Sequence, residues 1–239
     1  MTYPDQLVFI VDDDEGVREA LQDLLASAGL LSVVFGSAAE YLAYSKPDVS
    51  ACLILDVELP DINGLDLQRQ LVGGDHPPII FVSGHGSIRS SVRAMKAGAM
   101  DFLTKPFDHQ ELLRLVQTAL AQHRERRRKQ ADLDRLKQRF QSLTPREREV
   151  LPLVVSGLLN KQAAAQLGIS QVTLEIHRAN VMRKMKANSL ADLVRMAGWL
   201  DIPLPSQSRR VENMPARSEY PRSATTCVGM PSGEPLTTN

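Results

Sequence analysis

The sequence predicts an α/β domain built on a five-stranded parallel sheet, joined through a helical linker to an all-α domain of four helices. Short continuous apolar runs, typical of strands buried on both faces, alternate with helical patterns over the first 120 residues. Helix caps and glycine turns recur at short intervals over residues 121–200. The two parts also carry net charges of opposite sign, which indicates two domains with different partners.

The formal net charge of zero hides this separation of charge. Residues 1–120 contain 8 Lys and Arg against 17 Asp and Glu, whereas residues 121–200 contain 16 against 7. The basic part is a candidate for binding a polyanion such as nucleic acid. Cysteine usage and hydropathy predict no disulfide framework, signal peptide or membrane span, so a cytoplasmic location is expected.

Five apolar runs predict the strands in order. They cover residues 7–11, 31–35, 51–55, 79–82 and 100–103. Between the first two runs, apolar residues recur at helical spacing up to Gly29, and Asp108 with Glu111 marks the start of a helix after the fifth. Alternating strands and helices of this kind form a doubly wound sheet, expected here in the flavodoxin-like order 2-1-3-4-5.

Charged residues stand where three of these strands end: Asp12 and Asp13 after the first, Asp56 at the third and Lys105 after the fifth. The strand order brings the first and third of these ends together at the switch point of the sheet. Clustered carboxylates require a cation, and hard oxygen ligands suit Mg²⁺, or Mn²⁺ in its place. The predicted ligands are Asp12, Asp13, Asp56 and the backbone carbonyl of Glu58.

The same arrangement predicts the chemistry of the site. A carboxylate is a weak nucleophile, but it can attack a phosphoryl group whose charge is neutralised by a metal ion and a lysine. Asp56 is therefore the candidate phosphoacceptor, and Lys105 is the candidate partner of the phosphoryl oxygens.

Residues 7–120 resemble a response-regulator receiver domain. The resemblance is carried by the loop 56–64, the acid pair Asp12-Asp13 and the pair Lys105-Pro106. In that family the Lys-Pro pair is joined by a cis peptide bond, which is expected here at Pro106. The stretches 83–86 and 93–99 are similar to the FixJ subgroup in particular.

This resemblance implies a switch and a set of partners. Ser83 would be the hydroxyl residue that contacts the phosphoryl group, and Phe102 the aromatic side chain that swings inward behind it. A sensor histidine kinase would donate the phosphoryl group. The phosphorylated protein would form a homodimer through the face that contains residues 87–97 and Phe102.

The second half of the sequence predicts a linker and a helical domain. Residues 121–142 are expected to continue the preceding helix as a polar linker, and a capping box at residues 144–147 opens the next helix. Two helices then meet at a turn containing Gly168, which is the helix-turn-helix arrangement whose second helix enters the major groove of DNA. These helices are predicted over residues 161–167 and 172–185, with a last one over 190–200.

Residues 143–198 resemble the helix-turn-helix domain of LuxR- and FixJ-type regulators, through a motif that runs from Leu143-Thr144-Pro145-Arg146-Glu147 to Lys184-Met185. By this resemblance Glu175, Ile176 and Ala179 face the base edges, where Glu175 could accept from a cytosine amino group and the other two offer apolar contact. Val172 departs from the family, in which a basic or polar residue is frequent at this position. The residues expected near the phosphates are Lys161, Thr173, His177, Arg178, Arg183 and Lys184.

The predicted domains are therefore a receiver (1–120), a helical linker (121–142), a DNA-binding domain (143–200) and a disordered tail (201–239), for which no function is predicted. Together they predict a phosphorylation-dependent transcription regulator of the FixJ/NarL type in a bacterial two-component system. Its expected partners are a histidine kinase, promoter DNA, a second copy and RNA polymerase, with no membrane. It is not expected to be an enzyme beyond its own phosphorylation and dephosphorylation.

Three other functions fit parts of the sequence. The first is a regulator that binds DNA independently of phosphorylation. The second is a phosphatase of the haloacid-dehalogenase type, which would need an aspartate where Glu58 stands. The third is a protein that acts only through protein contacts, which the basic charge of residues 121–200 argues against.

Overall fold

The structure, a computed structural model, describes residues 5–71, 76–84 and 88–203. Its five strands are β1 (Gln6–Val11), β2 (Ser32–Phe35), β3 (Ser50–Asp56), β4 (Ile79–Ser83) and β5 (Asp101–Thr104). They form one parallel sheet in the order β2-β1-β3-β4-β5, which confirms the predicted order. Strands β3 and β4 are buried along their full length, because helices cover both faces of the sheet.

The helices that cover the sheet are α1 (Glu15–Ser27), α2 (Ala38–Ala43), α3 (Gly64–Leu71), α4 (Ile88–Lys96) and the first half of α5 (His109–Gln141). Successive strand residues point to opposite faces, so Phe9 and Ile10 of β1 enter different apolar clusters. The cluster around Phe9 includes residues of α2, α3 and α4, whereas the cluster around Ile10 includes residues of α1 and α5. The result is a three-layer α/β domain.

The register of the strands fixes which side chains meet at the carboxyl edge of the sheet. Val11 of β1 pairs with Leu55 of β3, so the residues that follow them, Asp12 and Asp56, are neighbours. On the other side, Ser83 of β4 pairs with Thr104 of β5, immediately before Lys105. Backbone pairing therefore brings the three predicted strand ends to one place.

Helix α5 is 33 residues long and contributes to the cores of both domains. Asp108 caps its first turn by accepting a hydrogen bond from the backbone N–H of Gln110 at 2.7 Å. Val116 lies in the cluster under the sheet, whereas Leu136 is buried in the core of the second domain. At a rise of 1.5 Å per residue the helix is about 50 Å long. The predicted linker is thus the second half of one continuous helix.

The second domain contains four further helices, as predicted: α6 (Pro145–Val155), α7 (Asn160–Leu167), α8 (Gln171–Met185) and α9 (Leu190–Trp199). The capping box predicted at residues 144–147 is present, because Thr144 and Glu147 bond each other's backbone N–H groups. Gly168 ends α7 at a φ of 66°, a left-handed conformation that glycine adopts without strain. Leu174 and Val181 of α8 are fully buried, so α8 is the central helix of this domain.

No helix in the described ranges carries an apolar run long enough to cross a lipid bilayer. The prediction for the tail concerns residues 201–239, of which 204–239 lie outside the described part of the chain. Ser87, at the edge of the predicted dimer face, also lies outside it.

Candidate functional site

Three carboxylates meet at the carboxyl edge of the sheet. Asp12, Asp13 and Asp56 each offer an oxygen atom, and these atoms all lie within 4.8 Å of one another. Asp12 and Asp56 are buried, whereas Asp13 is exposed on the loop that follows β1. The cluster is therefore closed on the protein side and open towards solvent at Asp13.

Lys105 bridges the two buried carboxylates. Its Nζ donates to Asp12 Oδ2 at 2.6 Å and to Asp56 Oδ2 at 2.9 Å. Burial would lower the pKa of Lys105, but the two carboxylates outweigh that effect and raise its pKa above the ordinary value, so the side chain stays cationic. Burial raises the pKa of Asp12 in spite of the hydrogen bond from Lys105. One lysine among three carboxylates leaves the cluster short of positive charge.

Backbone groups fix the orientation of the cluster. Asp56 Oδ1 accepts from the backbone N–H of Glu58 at 3.0 Å, and Asp12 Oδ1 accepts from that of Asp14 at 3.0 Å. The sequence did not indicate the role of Arg18, whose Nη1 donates to the backbone carbonyl of Asp12 at 2.8 Å and so ties α1 to the end of β1. The arrangement leaves the carboxylates little freedom to rotate away from one another.

Gly64 allows the loop after β3 to fold back onto Asp56, the predicted phosphoacceptor. A Cβ atom at this residue would lie 2.1 Å from the backbone oxygen of Asp56, a distance that no side chain can occupy. The close approach also lets the N–H of Gly64 donate to the carbonyl of Val57 at 2.8 Å. The sequence contained this glycine in the loop motif, but the contact that requires it is visible only in the fold.

The predicted switch residues lie beside the acid cluster. Ser83 is buried at the end of β4, and its carbonyl accepts from the backbone N–H of Lys105 at 2.9 Å. The peptide bond between Lys105 and Pro106 is cis, as the resemblance implied. Phe102 is half-buried and stacks on Phe81, with 6.1 Å between the ring centroids. Ser83 therefore lies at the edge of the sheet beside the acid cluster, whereas Phe102 lies on the side of the sheet that α4 covers.

The predicted base-facing residues lie on one exposed stripe of α8. Glu175, Ile176 and Ala179 are all exposed, and Val172, one turn earlier, belongs to the same stripe. Thr173, His177 and Arg178 are half-buried at the sides of the stripe. Among the residues predicted to contact phosphates, Lys161 and Arg183 are exposed. Thr173 shares a hydrogen bond of 2.8 Å with the N-cap residue of its own helix.

A polar network joins α7 to the exposed stripe of α8. The side chain of Asn160 donates to Glu175 Oε1 at 3.2 Å and accepts from Arg178 Nη1 at 2.8 Å. Gln171 also donates to Glu175 Oε1, at 3.1 Å. No role was predicted for either Asn160 or Gln171. Asn160 is 15 and 18 residues from its partners on α8, a separation that leaves no periodic signal, whereas Gln171 and Glu175 are four residues apart on one helix.

Lys184 has partners inside its own domain. Its Nζ donates to Glu147 Oε2 at 2.6 Å and to the backbone carbonyl of Ser142 at 3.3 Å, so its charge is used inside the domain. The phosphate contact of Lys184 stays a prediction, and the ion pair with Glu147 would compete with it. The sequence motif placed Lys184 at the end of the recognition helix but could not show which way its side chain points.

Comparison with known proteins agrees with this arrangement of the two domains. The family described as "Response regulator receiver domain" matches residues 8–117, and the family described as "Bacterial regulatory proteins, luxR family" matches residues 141–197. A solved structure of the response regulator StyR is similar with a TM-score of 0.75 and 45% sequence identity, over 82% of this chain and 99% of that one.

Two named relatives match this chain over most of both lengths. Nodulation protein W of Bradyrhizobium diazoefficiens is 51% identical over 197 residues, which cover 82% of this chain and 87% of that protein. The transcriptional regulatory protein FixJ of Azorhizobium caulinodans is 44% identical over 191 residues, or 80% and 90% of the two chains. The chain therefore belongs to the two-component response regulators that join a receiver domain to a LuxR-type DNA-binding domain, the group of transcription regulators that includes FixJ.

Proposed function

We propose that Asp56 accepts a phosphoryl group from a sensor histidine kinase and that this modification controls the binding of promoter DNA by α8. The observation that carries the proposal is the position of Lys105, whose Nζ lies 2.9 Å from Asp56 Oδ2 within a cluster of three carboxylates. A lysine and an aspartate in this relation can hold and accept a phosphoryl group.

A divalent cation, Mg²⁺ or Mn²⁺, fits the cluster. The three carboxylates supply hard oxygen ligands, and a single lysine leaves room for further positive charge. Asp12, Asp13 and Asp56 would hold the ion, with the backbone carbonyl of Glu58 as a further ligand. When bound, the ion would neutralise the negative charge of the incoming phosphoryl group.

Phosphoryl transfer requires little more from the protein than position and charge. A carboxylate oxygen of Asp56 forms a bond to phosphorus as the bond between phosphorus and the kinase histidine nitrogen breaks. Lys105 moves its hydrogen bonds from carboxylate to phosphoryl oxygens. A later attack of water on phosphorus releases inorganic phosphate and restores Asp56. The protein itself is the substrate, so we propose no turnover of a small molecule.

The switch would act on the face formed by α4 and β5. Ser83 moves towards the new oxygens, and Phe102 fills the space behind it. The face already exposes apolar side chains at helical spacing: Ile88 is 84% exposed, and Val92 and Met95 are about half exposed. A second copy would cover these side chains, which supports a homodimer through the face containing residues 87–97 and Phe102.

Dimerisation would raise the affinity for DNA, because once α8 of one copy is bound, α8 of the other copy binds at a high effective concentration. The DNA-facing set comprises Glu175, Ile176 and Ala179, with the basic side chains around them. RNA polymerase is a further proposed partner once the regulator occupies a promoter. All these partners meet in the cytoplasm.

The test is capture of genomic fragments by the full-length protein, with and without acetyl phosphate and Mg²⁺. Wild type is expected to enrich a few promoters after phosphorylation, and Asp56→Asn to enrich none above background. Asp66→Asn is the matched control, because Asp66 is a half-buried acid on α3 that pairs with Arg69. Equal enrichment by wild type and Asp56→Asn would replace this proposal with phosphorylation-independent binding.

A further inference from the structure

The exposed stripe of α8 is unusually apolar for a helix in contact with water. Val172 is 67% exposed and Ile176 is 58% exposed, and Ala179 continues the stripe one turn later. The core of the domain uses the opposite side of the helix, through Leu174 and Val181. Folding of this domain therefore does not account for the outward-facing apolar residues.

The chemistry of the stripe limits what it can read in DNA. Aliphatic side chains neither donate nor accept hydrogen bonds, and the apolar feature on base edges in the major groove is the C5-methyl group of thymine. None of the four stripe residues Val172, Glu175, Ile176 and Ala179 is Arg, Lys, Asn or Gln, the residues that form paired hydrogen bonds with guanine or adenine. Gln171, one turn before Glu175, donates to that carboxylate, and Arg183 lies one turn beyond Ala179.

Glu175 is the one charged residue of the stripe, and its carboxylate is held in place. Asn160 and Gln171 both donate to its Oε1, and Asn160 accepts from Arg178 on its other side. The guanidinium of Arg178 is thus linked to the carboxylate of Glu175 through the side chain of Asn160. A carboxylate fixed in a major groove can accept from the amino group of cytosine.

Resting on the DNA-binding function proposed above, we propose that α8 recognises its site through thymine methyl groups next to a cytosine. Val172, Ile176 and Ala179 contact the methyl groups, and Glu175 accepts from the cytosine amino group. Asn160 is a positioning residue, because it sets the orientation of both Glu175 and Arg178. The surplus of basic residues over residues 121–200 favours DNA over another protein as the partner of this stripe.

The experiment removes one methyl group at a time from the DNA. The phosphorylated full-length protein first selects a duplex from a random library, and each thymine of that duplex is then replaced by deoxyuridine. Loss of a buried methyl contact is expected to weaken binding about fourfold. Ile176→Ala should abolish the effect at one thymine, which a double-mutant cycle between side chain and base detects. Val194→Ala, on the exposed face of α9, should leave the effect unchanged.

A second comparison tests the carboxylate and its positioning residue. Replacing the contacted cytosine by thymine, with its complement, should weaken wild-type binding about tenfold. Glu175→Ala should lose this preference, and Asn160→Ala should reduce it while keeping the deoxyuridine effect. Both readouts are ratios of affinities for two duplexes, so a fraction of unfolded variant does not change them.

The outcomes separate this inference from the proposed function. Sequence-specific binding that ignores every deoxyuridine substitution would overturn the inference and leave the proposed function intact. Failure to bind any duplex at low salt would overturn both. If Ile176→Ala changed the oligomeric state in sedimentation and left DNA affinity unchanged, the stripe would be a protein interface, and the inference would be wrong.

Discussion

The Nζ of Lys184, in the last turn of α8, lies 2.6 Å from Oε2 of Glu147, in the first turn of α6. Glu147 is 3% exposed, and the same oxygen accepts from the backbone N–H of Thr144 at 2.8 Å. A single carboxylate therefore completes the cap of α6 and holds the last turn of α8.

Glu147→Ala is expected to destabilise the second domain, because it removes the cap and leaves Lys184 without its ion-pair partner. The fluorescence of Trp199, the single tryptophan of the chain, reports unfolding of this domain. The midpoint of urea unfolding should fall. Glu149→Ala serves as control, because Glu149 pairs with Arg146 on the exposed surface and should change stability by no more than about 1 kcal/mol. Equal effects of the two substitutions would contradict the prediction.

Glu147 also predicts how stability depends on pH. Burial would raise its pKa, but the hydrogen bonds from Lys184 and Thr144 outweigh burial and hold its pKa below the ordinary value of 4.5. A depressed pKa in the folded state contributes stability above pH 4.5 that is lost as pH falls through the folded pKa. Unfolding followed by Trp199 should show this loss in wild type. For Glu147→Gln, the free energy of unfolding should depend less on pH below pH 4.5 than it does for wild type. The same pH dependence in both proteins would exclude Glu147 as the cause of the loss.

Gly64→Ala should disturb the phosphoacceptor loop, since its Cβ atom would meet the backbone oxygen of Asp56. Forced displacement of backbone in a packed site costs about 1–3 kcal/mol. We expect lower stability in urea and slower phosphorylation by acetyl phosphate. Gly36→Ala is the matched control, because a Cβ there meets Arg18 and Glu40 at ordinary contact distances. Normal phosphorylation of Gly64→Ala would show that the loop relaxes without harm.

Asp13→Asn should weaken binding of Mn²⁺, measured by electron paramagnetic resonance of the free ion. Changing a residue in the outer shell of a metal site typically lowers affinity about 10- to 100-fold, so neutralising a direct ligand should lower it at least about tenfold. Glu15→Gln removes an equal charge from the first turn of α1, two residues along the chain. A similar loss in both variants would point to a general field effect in place of coordination.

Phe102→Ala should separate phosphorylation from its consequence. The ring stacks on Phe81 and does not take part in the acid cluster, so Asp56 should still accept a phosphoryl group from acetyl phosphate. Dimerisation, measured by light scattering after size exclusion, should be lost. Tyr44→Ala removes another half-buried ring from the same apolar cluster, close to Phe9 and Phe35. Dimers formed by Phe102→Ala as readily as by wild type would remove this ring from the switch.

Much of the fold was predictable because its strands are buried on both faces. Such strands appear as continuous apolar runs, and here an acid or a lysine follows three of them, so the strand order alone places Asp12 next to Asp56. Contacts between distant side chains were not predictable in this way. Arg18 reaches the carbonyl of Asp12, and Asn160 reaches Arg178, through packing that leaves no pattern in the sequence.

The orientation of long side chains also could not be predicted from the sequence. The side chain of Lys184 can extend into solvent or fold back onto the domain. It folds back because it pairs with Glu147, which lies 37 residues earlier in the chain. A family motif supplies the position of such a residue on the helix and leaves the choice of partner to the packing of the domain.

Because α5 runs without a break from one domain into the other, residues inserted into it or deleted from it would turn one domain relative to the other. Each residue added to or removed from an α-helix turns everything beyond it by about 100° and shifts it by about 1.5 Å. Because Val116 and Leu136 are anchored in different cores, one inserted residue between them would point α8 in a new direction relative to the sheet. Seven inserted residues, close to two full turns, would nearly restore the angle. We therefore expect the relative orientation of the two domains to be nearly kept when whole turns are inserted into α5, and to change when a single residue is inserted.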